Sequence, residues 1–228
     1  MQSVSERQAG PIVLDMAAAI VREQGMLSEI DGKIGDGDHG INMAKGFRLA
    51  ADRLRARGSF GLAHGLATLG DTLLSDIGGS MGPLYGSCFT EMAGALDGAR
   101  TIDAERFAAM LDAGCAAVRE LGDAKPGDKT LVDVLAPATA AFAVARSNGD
   151  PFEVCLGALM HAAAAGLEST RDMVAKVGRA SRLGERSRGT LDAGAASCNL
   201  LLATMADGLT RLLHQTQDQQ HGTQGVSR

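Results

Sequence analysis

The stretch Gly40-Ile-Asn-Met-Ala-Lys-Gly-Phe-Arg-Leu-Ala-Ala-Asp-Arg-Leu-Arg-Ala-Arg57 decides the fold. Met43, Phe47, Ala50 and Leu54 recur at steps of three and four residues, while Lys45, Arg48, Asp52, Arg53 and Arg55 fall mostly between them. This is the spacing of a helix that buries one face and leaves the other in water. The same period returns in Phe107, Met110, Leu111, Cys115, Val118 and Leu121, and again in Cys198, Leu201, Leu202, Met205, Leu209 and Leu212. No segment alternates convincingly with a period of two.

Clusters of Gly, Pro and Asp punctuate these runs and delimit eight predicted helices, over residues 6–29, 40–57, 61–77, 84–97, 103–121, 129–147, 151–177 and 193–213. The fold class that follows is all-α. Short connections favour antiparallel neighbours, in an up-down bundle or a closed ring. Residues 1–213 form one helical domain in this reading. The tail 214–228 is Gln, His, Gly and Ser without apolar periodicity and is expected to be disordered.

Composition narrows the function classes. The 228 residues are 45% hydrophobic but only 3% aromatic, so a core must be built from aliphatic side chains, with Ala and Gly allowing helices to approach closely. The net charge of −5, with no Trp and one Tyr, leaves neither a basic footprint nor a stacking platform, and nucleic acid is not an expected partner. The longest apolar run falls short of the roughly 18 residues needed to span a bilayer, so no membrane association is expected. The N-terminus lacks a secretory pattern, and the expected location is cytoplasmic. Cys88, Cys115, Cys155 and Cys198 stand tens of residues apart with no CxxC pair, which favours reduced thiols packed as small hydrophobes.

Four inter-helix segments carry candidate chemistry. Asp31-Gly-Lys-Ile-Gly-Asp36-Gly-Asp38-His39-Gly40 sets three carboxylates within eight residues on a glycine-rich stretch. Such carboxylates either share a hard cation such as Mg²⁺ or form a polar turn in which Asp38 caps the following helix. His39 could contact a phosphate or adenine or orient a carboxylate, but taken alone it reads better as a solvated loop histidine. Gly78-Gly79-Ser80-Met81-Gly82-Pro83-Leu84-Tyr85-Gly86 is either a tight helix-helix turn or a backbone cradle for an anion at a helix N-terminus. Lys125-Pro-Gly-Asp-Lys-Thr130 resembles a Walker A loop only superficially, because Asp128 is inserted before the lysine and no strand precedes it. Residues 178–194 place Arg179, Arg182, Arg186 and Arg188 on a long Gly-rich segment, suited to phosphate neutralisation by one or two of them or to an exposed charged linker. Counted along the chain, these segments follow helices one, three, five and seven and therefore share one end of an up-down bundle. A Mg-nucleotide site at that end is the economical reading. No nucleophilic triad is suggested.

In these motifs, Ile34-Gly-Asp-Gly-Asp-His-Gly40, Gly78-Gly79 to Gly86, Lys125 to Thr130, Gly178-Arg-Ala-Ser181 and Leu183-Gly-Glu-Arg-Ser187, the sequence resembles the nucleotide-binding L subunit of dihydroxyacetone kinases, the DhaL or Dak2 domain family, up to about Leu213. The resemblance implies a closed barrel of eight antiparallel helices holding ADP or ATP at one rim, with two Mg²⁺ bridging the phosphates through Asp31, Asp36 and Asp38. It implies that His39 and Asn42 line the nucleotide and that Gly79, Ser80 and Met81 meet the phosphates. Gly122, Thr130 and Leu131 would border adenine and ribose, while Arg179, Asp192, Ala193 and Gly194 close the site. The reaction implied is phosphoryl transfer to a short ketose, dihydroxyacetone or a relative such as erythrulose, held by a separate K subunit. The catalytic set would be Asp31, Asp36, Asp38 and Arg179, with a homodimer or hetero-oligomer expected. The donor is either exchanging ATP or a resident ADP rephosphorylated by a phosphotransferase-system phosphocarrier. A reading from another class is a non-catalytic ADP/ATP-sensing module docking on another protein. Two positions depart from the family pattern: Ser80-Met81 shifts the phosphate-loop hydroxyl by one residue, and Asp192-Ala193-Gly194 lacks the usual central proline. Both departures fit a change of ketose.

Overall fold

A computed structural model of the chain describes residues 2–224, with side chains described to Thr216. The elements run β1 (Ser3–Ser5), α1 (Glu6–Ala9), α2 (Ile12–Arg22), α3 (Gln24–Ile34), α4 (His39–Arg57), α5 (Leu62–Asp76), α6 (Met81–Ala95), β2 (Thr101–Asp103), α7 (Ala104–Gly122), α8 (Val132–Ser147), α9 (Phe152–Ser169) and α10 (Ala193–Gln224). Two 3₁₀ segments, Thr170–Asp172 and Arg179–Ser187, lie between α9 and α10. The all-helical expectation holds.

Neighbouring helices pack in chain order from α4 to α10. The last, α10, returns to α2, and α2 packs on α4. This is the contact order of a ring. Two interfaces in it are unusually close. Gly70 of α5 and Gly86 of α6 face each other, so that a Cβ on either would press on the other's backbone. In α8, Pro137 has no N–H to offer the carbonyl of Asp133, and Gly166 of α9 lies directly over that carbonyl. The core is continuous and largely aliphatic, drawing Met16, Phe47, Leu69, Phe89, Leu111, Phe142, Leu159 and Leu209 from successive helices. One aromatic cluster joins Phe107, Phe142 and Phe152, with centroids 5.0 to 6.0 Å apart, and ties α7, α8 and α9 together. All four cysteines are free and buried.

Several boundaries differ from the sequence reading. The predicted helix over 6–29 is three helices. Pro11 starts a new one, and Gly10 fits against the Phe60 carbonyl where a side chain would collide. The third, α3, extends to Ile34, so Asp31 stands on a helix rather than on the glycine-rich loop. A helix start at 129 is displaced to Val132 because Lys129 takes φ 63°, a left-handed conformation that cannot propagate an α-helix. The predicted helix over 151–177 ends at Ser169 and tightens into 3₁₀.

The segment around the N-terminus also pairs with a distant one. Val4 sits opposite Ile102 in an antiparallel ladder, with Ser3 opposite Asp103. Three-residue strands are too short to show a period of two, which is why alternation did not reveal them. At the other end α10 continues past Leu213 to Gln224, where a disordered tail is expected. Extending an existing helix costs no new nucleation, and no Pro or Gly interrupts 214–221. His214 also meets Glu153 of α9 at 2.8 Å. Residues 225–228 of that tail lie outside the described residues.

Candidate functional site

Asp31 in the last turn of α3, the loop 35–38 and the first turn of α4 bring three carboxylates to one place. Oxygens of Asp31, Asp36 and Asp38 all lie within 4.8 Å of one another. Asp36 and Asp38 are exposed and Asp31 is half-buried. The Asp31 carboxylate accepts a hydrogen bond from the His39 N–H at 3.2 Å, which fixes it to the start of α4. Arg179 reaches across from the 3₁₀ segment to pair with Asp36, with Asp38 3.9 Å away. An all-oxygen set of three converging carboxylates is the donor chemistry a hard divalent cation requires, and these residues fit Mg²⁺.

The carboxylates form one wall of a cavity of about 940 Å³. Every site residue expected from the sequence lines it: Asp31, Asp36, Asp38, His39, Asn42, Gly79, Ser80, Met81, Gly122, Thr130, Leu131, Arg179, Asp192, Ala193 and Gly194. The four motif-bearing segments thus meet at one end of the helices. Gly79 takes φ 75°, which swings the chain into α6, and Ser80 precedes that helix without capping it, leaving its hydroxyl uncommitted to the helix end. The start of α6 therefore presents backbone N–H groups, a setting that favours an anion. Leu84, Val118, Leu121, Leu131 and Val132 add an apolar surface to the same cavity.

The sequence reading passed over several residues of the site. Val118 and Leu121 read as core positions of a helix, and Leu121 is in fact half exposed, at 53%, in the cavity. Lys129 is charged and adjacent to an exposed loop, yet it is 2% exposed. Its ammonium donates to the carbonyls of Thr170 at 2.7 Å, Met173 at 3.2 Å and Thr190 at 2.5 Å. All three of its hydrogens are thereby used, so Lys129 is a tie between segments rather than a phosphate hand. Burial lowers its pKa, with the Asp192 carboxylate opposing that shift. Asp133, 3% exposed, folds the loop before α8 by accepting the N–H groups of Gly127 and Thr130. Neither role has a pattern in the sequence.

Asp192 accepts the Ala195 N–H at 2.7 Å and so caps α10, while desolvation of its carboxyl pushes its pKa up to about 7. His39 Nε2 lies 2.9 Å from Ser197 Oγ, which is 2.7 Å from the Tyr85 hydroxyl. Desolvation lowers the His39 pKa, and the nearby Asp31 charge partly offsets this. Burial raises that of Tyr85 well above its ordinary value.

Fold and cavity together define an all-helical domain with a carboxylate cluster and a helix N-terminus facing one ligand space. The model of the DAK2 domain matches residues 33–207, and the chain belongs to that family. It is 37% identical, over 89% of its length and 94% of the relative's, to the ADP-binding subunit DhaL of PEP-dependent dihydroxyacetone kinase 2 from Listeria innocua. It is 34% identical to the D-erythrulose kinase of Mycolicibacterium smegmatis over 86% of this chain and 34% of that one. Among solved structures it is similar to the dihydroxyacetone kinase from C. freundii in complex with AMP-PNP and Mg²⁺, with a TM-score of 0.65 and 27% identity over 91% of this chain and 35% of that one. The chain thus spans about a third of the length of the last two proteins and nearly all of the DhaL subunit. Among the described residues no helix is long and apolar enough to cross a membrane.

Proposed function

We propose that the chain is the Mg-nucleotide-binding subunit of a dihydroxyacetone-type kinase, acting with a separate K subunit that holds a short ketose. The observation that carries this is the meeting of Asp31, Asp36, Asp38 and Arg179 in a cavity that apolar side chains also line. A nucleotide needs both kinds of wall. The similarity to an ADP-binding subunit over nearly its whole length supports the same reading, and the ring-like contact order supports a closed barrel.

In this account Asp31, Asp36 and Asp38 would hold Mg²⁺, two ions in all, which would supply positive charge against the phosphates. Arg179, now paired with Asp36, is placed to turn its guanidinium to a phosphate oxygen once those carboxylates engage a cation. The N–H groups at the start of α6, with Ser80 and Met81, face the same phosphates. Leu84, Val118, Leu121 and Leu131 exclude water around the base, and Thr130, Gly122 and the turn Asp192-Ala193-Gly194 border the sugar and close the cavity. Phosphoryl transfer asks mainly for alignment and charge, which this wall provides, while the base that deprotonates the ketose belongs to the partner. Ala193 and the Ser80-Met81 pair both line the cavity, so the departures from the family pattern fall where they bear on how the nucleotide sits.

The test is reconstitution. The purified chain, a ketose-binding K subunit and either ATP or a phosphorylated phosphotransferase-system carrier are mixed with dihydroxyacetone or erythrulose, and the sugar phosphate is measured. Formation of product only when all components are present is the expected result, and the nucleotide released from the purified chain identifies the donor mode. Retained ADP points to the phosphocarrier, and an empty protein that takes up Mg-ATP points to exchange. No product with any donor or ketose overturns the reading.

A further inference from the structure

His39 and Tyr85, which line the cavity, meet a buried hydroxyl network that the nucleotide reading does not use. Ser197 is fully buried on α10 and Tyr85 is 3% exposed on α6. The Tyr85 ring stacks on Phe89, with centroids 6.0 Å apart, and Phe89 meets Phe47 of α4 edge-on. Its position is therefore set by the core, while its hydroxyl lies 3.0 Å from the Gly194 carbonyl and 2.7 Å from Ser197 Oγ. Ser197 Oγ also lies 3.1 Å from the Gly194 carbonyl and 2.9 Å from His39 Nε2. Helices α4, α6 and α10 are joined at this point.

Counting hydrogens decides which ring nitrogen of His39 carries the proton. Four contacts connect the imidazole, the two hydroxyls and the carbonyl. With the proton on Nε2, three hydrogens serve them: Tyr85 donates to Gly194, Ser197 to Tyr85 and His39 to Ser197. With the proton on Nδ1, Ser197 and Tyr85 supply only two hydrogens to the same four contacts. The first arrangement leaves one of the four contacts without a hydrogen and the second leaves two, so the network favours the first. Tyr85 stays a donor throughout, since burial holds its phenol protonated. Among the described residues Nδ1 has no hydrogen-bond partner in the protein.

We propose that Ser197 and Tyr85 are positioning residues that hold His39 as the Nε2–H tautomer, leaving Nδ1 as a hydrogen-bond acceptor in the cavity for a hydroxyl or amino hydrogen of the nucleotide rather than for a phosphate oxygen. This rests on the nucleotide reading above for the identity of the ligand, but the tautomer itself does not. A lone pair repels a phosphate oxygen and accepts from a sugar hydroxyl or an exocyclic amine. His39 would then sort the nucleoside part of the ligand from its phosphates.

The experiment uses protein labelled with ¹⁵N-histidine, at neutral pH, as wild type and as the Ser197→Ala and Tyr85→Phe variants. Wild type is expected to show the Nε2–H tautomer for His39, and Ser197→Ala a mixture of both. Tyr85→Phe, which keeps the ring packing and so guards against a simple folding defect, is expected to shift the balance in the same direction. With Mg²⁺ present, ADP should move the Nδ1 resonance and pyrophosphate should not. ADP affinity should fall about fivefold to tenfold in Ser197→Ala while pyrophosphate affinity is retained, as expected for one misdirected hydrogen bond. A wild-type His39 in the Nδ1–H form overturns the proposal. So does a Ser197→Ala variant with an unchanged tautomer and wild-type ADP affinity, or a pyrophosphate-induced shift equal to that of ADP. If wild type binds no ADP at all, the nucleotide reading fails, and the spectrum of the free protein still decides the tautomer.

Discussion

Two segments that line the cavity are built in opposite ways. The loop 35–38 carries exposed Asp36 and Asp38 and takes its counter-charge, among the described residues, from Arg179 of the neighbouring 3₁₀ segment. The segment 170–192 is bound to itself and to its neighbours at almost every turn. Lys129 ties three of its carbonyls, Ser187 accepts the Ala175 N–H, Gly189 donates to Arg171, and Asp192 donates to the Thr170 hydroxyl. The first wall is left electrostatically incomplete and the second is complete before any ligand arrives. Clustered carboxylates repel one another and favour a bound cation, so the acidic loop holds affinity in reserve, while the other segment spends its hydrogen bonds on shape.

The largest effect that would break this contrast is on the tied wall. Lys129→Met removes the donor from three carbonyls around a buried side chain and should destabilise the protein by about 2–4 kcal/mol, measured by urea unfolding. A change below about 0.5 kcal/mol would mean the segment is held by something else. Arg179→Gln acts on the bridge between the walls. Because Arg179 is exposed, melting temperature should hold steady, while Mg-ADP affinity measured by calorimetry drops about tenfold, or about 1.4 kcal/mol.

The pH response sharpens the comparison further. The Asp192 carboxyl has its pKa raised from 3.8 to about 7 by desolvation, so the folded protein holds a proton there that the unfolded chain has released. Stability from this group is therefore fully present below about pH 4 and is lost as pH rises through about 7. Asp192→Asn keeps an acceptor for the Ala195 N–H without the charge. Its stability relative to wild type should increase between pH 4 and pH 7 and level off above, and a constant difference across that range would show that Asp192 ionises freely. At the small end, Glu185 and Arg188 form an exposed surface pair at 3.0 Å. Glu185→Gln should leave melting temperature and ADP affinity unchanged.

The same contrast explains what could be read from the sequence. Asp31, Asp36, Asp38 and Arg179 were legible because unpaired charge on glycine-rich chain has few structural uses. The helices were legible through runs such as Met43-Phe47-Ala50-Leu54, where one buried face imposes its period on the chain. Lys129, Asp133, Ser197 and Tyr85 were not legible as a set, because their partners are backbone groups, hydroxyls and an imidazole up to 158 residues away, and a hydrogen bond to a carbonyl leaves no mark on residue type. The division of the first predicted helix turned on Gly10 meeting the Phe60 carbonyl, a contact between segments that no local pattern encodes. The Val4–Ile102 ladder was hidden for the same reason. Local periodicity reports burial, and long-range polar pairing has to be seen.

The central claim is that the acidic wall binds nucleotide through a divalent cation. Calorimetric titration of ADP into the protein with Mg²⁺ and again with a chelator, for wild type and for the combined Asp31→Asn, Asp36→Asn and Asp38→Asn variant, tests it directly. The account predicts one ADP bound per chain by wild type with Mg²⁺, and binding weakened at least tenfold both by the chelator and by the triple substitution. Equal affinity in all of these conditions would contradict it.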